Sequence, residues 1–125
     1  MKKTLFFLMC FIVLHISACA SADKPISKKD LPQAAQTFIK TYFSDKAITL
    51  VKQDTDVARK TYDVVFADGT EVEFNGKGLW TEVSTMTGAV PQELVPETIR
   101  TFVSRKYAGQ TICRIERERA KTEVK

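Results

Sequence analysis

From Leu5 to Ile16 the chain is apolar at every position except His15, and that density never returns beyond Ala22. Downstream, apolar residues recur with two other periods. Ala35, Phe38, Ile39, Tyr42 and Phe43 are spaced by three and four, which predicts a helix over 32–43 with one apolar stripe. Asp30 stands where a cap belongs and Pro32 in the first turn, where a missing N–H is no loss. The period then drops to two. A strand is predicted over 47–52, then a charged turn over 54–60. A second strand over 61–67 carries Tyr62, Val64 and Phe66 on one face. Asp68-Gly69 reads as a hairpin turn, Thr70 to Phe74 as the returning strand, Asn75-Gly76 as a second turn, and Leu79 to Val83 as a strand with Trp80. After a loop at 86–90, Pro96, Ile99, Phe102 and Val103 place a second helix within 91–107. Ala108-Gly109-Gln110 ends it, and a strand is expected over 110–116. Arg117 to Lys125 is charged, with only Ala120 and Val124 for apolar signal.

These elements predict an α+β fold, an antiparallel sheet packed against helices, because a sheet needs its apolar face covered. They also repeat. A shift of 64 residues, without a gap, sets Pro32 on Pro96, Phe38 on Phe102, Ile39 on Val103, Phe43 on Tyr107, Ile48 on Ile112 and Val51 on Ile115. The first copy spans about 31–83. The second, about 95–116, lacks the hairpin that follows in the first, since Arg117 to Lys125 holds neither an aromatic residue nor an Asp-Gly turn.

The apolar start has a different use. Met1-Lys2-Lys3 is basic, the run that follows is about 12 residues long, and small residues come next. That is the form of a secretory leader, and it falls short of the roughly 18–20 residues that hold a helix in a bilayer. Two cuts compete. Ala20-Ser21-Ala22 fits ordinary cleavage, whereas Ile16-Ser17-Ala18-Cys19 resembles a bacterial lipobox. The second is preferred: 1–18 is a lipoprotein signal peptide, Cys19 is the lipidated residue, 19–30 is a tether and 31–125 is one domain. Acyl chains on Cys19 would hold the protein to a membrane, since each buried methylene contributes about 0.8 kcal/mol. The expected location is the periplasm or the outer membrane. Cys10 leaves with the leader, so only Cys113 remains as a thiol. Its alternating neighbours Ile112 and Ile115 suggest a half-buried small residue.

Charge and chemistry exclude more than they suggest. The chain carries +4 overall, with 19 basic and 15 acidic residues. Lys2 and Lys3 belong to the leader, which leaves 17 against 15 and no basic stripe for a nucleic acid. His15 is the sole histidine and also lies in the leader, so a serine or cysteine nucleophile lacks its usual base. Ser27 with Lys28 and Ser104 with Lys106 are the Ser-Lys pairs on paper, and both read as solvated surface. Glu71 and Glu73 share a strand face near Asp68 and Glu82. A calcium ion is conceivable there, but no EF-hand spacing supports it, and neither a metal nor a cofactor is expected. Trp80 and Tyr62 are the candidate partner-binding residues, because aromatics with a polar tip anchor interfaces.

Leu31-Pro32, Phe38-Ile39, Tyr42-Phe43, Tyr62-Asp63-Val64, Asp68 to Phe74 and Gly78 to Val83 together resemble the PepSY-like, beta-lactamase-inhibitor-like family of exported proteins of Bacteroides-type bacteria. The resemblance covers about 25–116. It implies a helix packed on an antiparallel sheet in each repeat, and no family-wide catalytic residues. In the beta-lactamase inhibitor protein two such repeats form a concave sheet that grips an enzyme, and the shortened second repeat weakens transfer of that role. The expectation is thus a non-enzymatic binding or regulatory module that contacts an envelope protein or peptide. Its mark would be an aromatic-bearing sheet face with little solvent-side charge. The alternatives are a self-assembling unit that pairs through an open sheet edge, making a homo-oligomer, and, less favoured, a Ser-Lys hydrolase.

Overall fold

The computed structural model describes residues 23–57 and 59–117. Cys19, the leader and residues 118–125 lie outside the described residues. Six strands form one antiparallel sheet in chain order: β1 (Lys24–Pro25), β2 (Ile48–Asp56), β3 (Arg59–Phe66), β4 (Glu71–Asn75), β5 (Trp80–Ser84) and β6 (Arg114–Glu116). Helix α1 (Gln33–Tyr42) joins β1 to β2, and helix α2 (Glu97–Lys106) joins β5 to β6. The α+β architecture is as the periodicities predicted.

Helix α1 begins at Pro32 and is fastened by Gln36, whose side-chain amide donates to the Leu31 carbonyl at 2.8 Å. Ala35 and Ile39 are fully buried, and Phe43 follows them inward just past the last turn. Phe38 stacks on Tyr42 (ring centroids 4.8 Å apart), Phe74 (5.5 Å) and Trp80 (6.2 Å). The sheet answers with Val51, Tyr62, Val64, Phe66, Val72, Phe74 and Val83, all buried. Burying each large apolar side chain contributes about 1.5–3 kcal/mol, so this one layer contact carries most of the fold's favourable free energy.

Both turns form as read. Asp68 Oδ1 accepts the Thr70 N–H at 2.9 Å, and Gly69 takes a φ of 83°. Asn75 Oδ1 accepts from the N–H groups of Lys77 and Leu79. Three segments differ from expectation. The β2–β3 hairpin runs on through the charged stretch and closes only at Asp56 opposite Arg59, because backbone pairing continues through polar side chains as readily as through apolar ones. The expected tether is docked from Lys24 onward. Lys24 and Pro25 pair with β2, the Ile26 N–H donates to the Val51 carbonyl, and Lys28–Asp30 is a 3-10 turn. Cys113 is exposed rather than half-buried, since the strand at that position begins only at Arg114.

The repeat is visible in the elements. The 3-10 turns start at Lys28 and Gln92 and the helices at Gln33 and Glu97, each pair 64 residues apart. Leu31 and its counterpart Val95 are both 3% exposed. The equivalence stops at the helix faces. Ile99, Phe102 and Tyr107 of the second copy are 46%, 54% and 50% exposed, whereas their counterparts Ala35, Phe38 and Phe43 lie under the sheet.

Candidate functional site

The sheet has one covered face and one open face, and the period of two decides which residues each receives. Tyr62 pairs with Phe74 and turns inward, where it is 5% exposed beneath α1. It is therefore a core residue with no surface to give a partner. Trp80 also pairs with Phe74, and a register shift between Glu73 and Phe74 leaves it half-buried at the rim. One side of its indole rests near Phe38. The other carries the Arg117 guanidinium, 4.6 Å from the ring centroid. Arg117 is held there twice more, by its own N–H on the Thr81 carbonyl and by Nη2 on the Trp80 carbonyl at 2.9 Å.

The open face is charged, contrary to the expected lightly charged, aromatic surface. Across its middle stand Asp63, Glu71, Glu73 and Glu82, which with Ser84 line a hollow of about 60 Å³. Burial first, and then the charge of Glu73 opposite, raise the Asp63 carboxyl above its usual range. Lys52 on the neighbouring strand opposes that rise, and Asp23 and Glu71 add to it. Among the described residues no three acidic, histidine or cysteine side chains converge as a metal set. Asp68 is not part of this group. It forms an ion pair with Lys46 that ties the α1–β2 loop to the β3–β4 turn, and that pair together with the Thr70 N–H lowers its carboxyl to about 2.

At one end of the open face lies a groove of about 510 Å³. It is lined by Arg59, Lys60 and Thr61 from β3, by Glu73, Asn75, Gly76 and Lys77 around the β4–β5 turn, and by Thr81 and Arg117. Four cationic residues and one acidic residue thus contribute to its walls. The Lys60 ammonium lies over the Tyr62 ring and the Arg117 guanidinium over Trp80, and Glu73 Oε1 is already engaged by the Thr81 hydroxyl at 2.6 Å. Beside the groove, across from Thr61, Asp54 has a shielded Oδ1 that meets no donor among the described residues. The arrangement can hold an anionic or hydrogen-bonding chain.

The Ser-Lys pairs are not assembled. Ser104 donates to the Thr101 carbonyl, while Lys106 Nζ sits 5.5 Å over the Phe102 ring. Ser27 uses its backbone N–H on Asp30 at the start of a surface turn. The groove itself was missed in sequence. Its cations are scattered over 59 positions, from Arg59 to Arg117, and only strand pairing brings them together. Their position at strand ends and turns was the one available signal.

The sequence matches, over residues 60–125, the family described as "Putative beta-lactamase-inhibitor-like, PepSY-like". No curated protein matches it. Among solved structures, a protein of the DUF2874 family from Bacteroides vulgatus, described as a "putative periplasmic protein", is 45% identical, with a TM-score of 0.75 over 80% of this chain and 79% of that one. A protein from Bacteroides thetaiotaomicron described as "putative calcium-regulated periplasmic" is 40% identical, with a TM-score of 0.77 over 81% and 80%. A second Bacteroides vulgatus protein, described as a "putative periplasmic protein of unknown function", is 34% identical, with a TM-score of 0.73 over 78% and 79%.

Proposed function

The chain belongs to the PepSY-like, beta-lactamase-inhibitor-like family, and on that premise we propose that it is an exported periplasmic module that binds an acidic segment of a protein or peptide without catalysing a reaction. The observation that carries this reading is the groove with Arg59, Lys60, Lys77 and Arg117 on its walls. A cluster of one sign in a concave site raises the local concentration of the opposite charge and speeds encounter. Trp80 lies behind one wall, where its ring carries the Arg117 guanidinium. Periplasmic relatives and a basic, apolar leader support export, and the Ile16 to Cys19 pattern supports an anchor at Cys19. The calcium regulation named for the Bacteroides thetaiotaomicron protein is said of that protein and is not carried over: among the described residues no three acidic side chains form a set that could hold a metal ion.

Trp80 is the only tryptophan, and its ring carries the guanidinium of the groove residue Arg117, so its fluorescence reports changes at Arg117. Titration with a glutamate-rich peptide should shift its emission at low salt, weaken as salt screens the charges, and fail in Arg117→Ala. An equal response to a lysine-rich peptide, or none to either, would reject this reading.

A further inference from the structure

The second helix and the last strand leave a surface whose occupant can be named. Helix α2 presents Ile99, Phe102 and Tyr107 to solvent at positions whose counterparts in α1 lie under the sheet. The start of α2 is nonetheless anchored, with Val95 buried and Leu94 packed on the core. Further along the chain, β6 pairs with β5 on one side, and among the described residues nothing pairs with its other side.

Backbone direction defines what that side offers. The Cys113 carbonyl accepts from the Thr85 N–H, and the Arg117 N–H donates to the Thr81 carbonyl. Odd-numbered residues of β6 therefore turn their backbone groups to β5, and Arg114 and Glu116 turn theirs outward. In an antiparallel meeting of two β6 strands only those outward residues can exchange hydrogen bonds. Pairing 114 with 114, or 116 with 116, opposes like charges. Pairing Arg114 of each copy with Glu116 of the other opposes unlike charges twice and sets Ile115 on the two-fold axis. Glu116 has reason to accept such a neighbour. It lies directly across from Glu82, a repulsive placement, and Arg114 bonds Glu82 at 3.0 Å while no ion pair among the described residues reaches Glu116.

We propose that a second copy of this chain docks on the β6 edge, each Arg114 meeting Glu116 of the other copy, with the exposed apolar faces of the two α2 helices brought together across the axis. The alternating signs along Arg114-Ile115-Glu116 thus act as a register key. They repel most strands and admit their own antiparallel image. The three-residue seam is short, and the apolar area comes from Ile99, Phe102 and Tyr107. The pairing is independent of the groove reading, since it uses other residues.

Sedimentation velocity across the micromolar range, on the processed chain expressed with its own leader and kept in detergent, tests this. The wild type should form dimers and nothing larger. Glu116→Arg relieves the repulsion from Glu82 in the single chain and sets arginine against Arg114 of the other copy, so it should weaken dimerisation by about tenfold or more while leaving the thermal midpoint unlowered. The double variant R114E/E116R restores unlike pairing and should restore the dimer. Phe102→Asp should dissociate it without unfolding the chain. A wild type that stays monomeric, as it would if its own residues 118–125 cover the edge, overturns the proposal. So does an open-ended series of oligomers, or a Glu116→Arg variant that associates as the wild type does.

Discussion

Two aspartates of this sheet have opposite pH behaviour, each from its neighbours. Burial and the charge of Glu73 raise Asp63, so ionising it costs the folded state free energy at neutral pH. Asp63→Asn should therefore raise the thermal midpoint at neutral pH. The gain should shrink as pH falls through the raised pKa and vanish below the ordinary carboxylate range, where the wild type is protonated in both states. Asp68 is lowered to about 2 by Lys46 and Thr70, so its contribution is complete above the ordinary carboxylate range and is lost as pH falls through about 2. Asp68→Ala should destabilise at neutral pH and converge on the wild type toward pH 2, as read by thermal melts along a pH series. The Asp68-Gly69 turn was legible in sequence, because a turn's chemistry is local. The raised pKa of Asp63 was not, because Glu73 comes opposite it only through strand register.

Between elements, one glycine fixes how α1 sits on the β4–β5 turn. Gly78 has a φ of 80°, and a Cβ there would lie 2.7 Å from Pro32 Cβ and 3.0 Å from the Ala35 nitrogen. Gly78→Ala should cost about 1–3 kcal/mol in denaturant unfolding, from left-handed strain and from pushing the helix start off the sheet. The two helices supply a second comparison. Ile39 is buried, so Ile39→Ala should cost about 2–5 kcal/mol. Phe102→Ala, at the counterpart of Phe38 on the equivalent stripe of α2, should change single-chain stability by no more than about 0.5 kcal/mol, because that ring is 54% exposed. A large loss at Phe102 would mean that α2 packs within its own chain. Periodicity found both helices, yet it cannot distinguish a stripe that meets a sheet from one that does not.

The molecule as a whole is a sheet with one face sealed by α1 and the other charged, and with a basic groove at one end. Its expected attachment is separable from its binding. A radiolabelled fatty acid should mark the wild type and not Cys19→Ser, whereas equal labelling would show that the leader is cut as an ordinary signal.

The sequence by itself determined the α+β class, both helices, the turns at Asp68-Gly69 and Asn75-Gly76, and the 64-residue repeat. Each depends on residues within a few positions of one another, where period and turn chemistry act. Tertiary structure alone decided that Tyr62 is core while Trp80 stands at the rim, that Cys113 is exposed, and that Arg59, Lys60, Lys77 and Arg117 share one groove. It also decided that the second apolar stripe stays in solvent. Those outcomes follow from register between strands distant in sequence and from which surfaces find a covering layer, and local pattern holds neither.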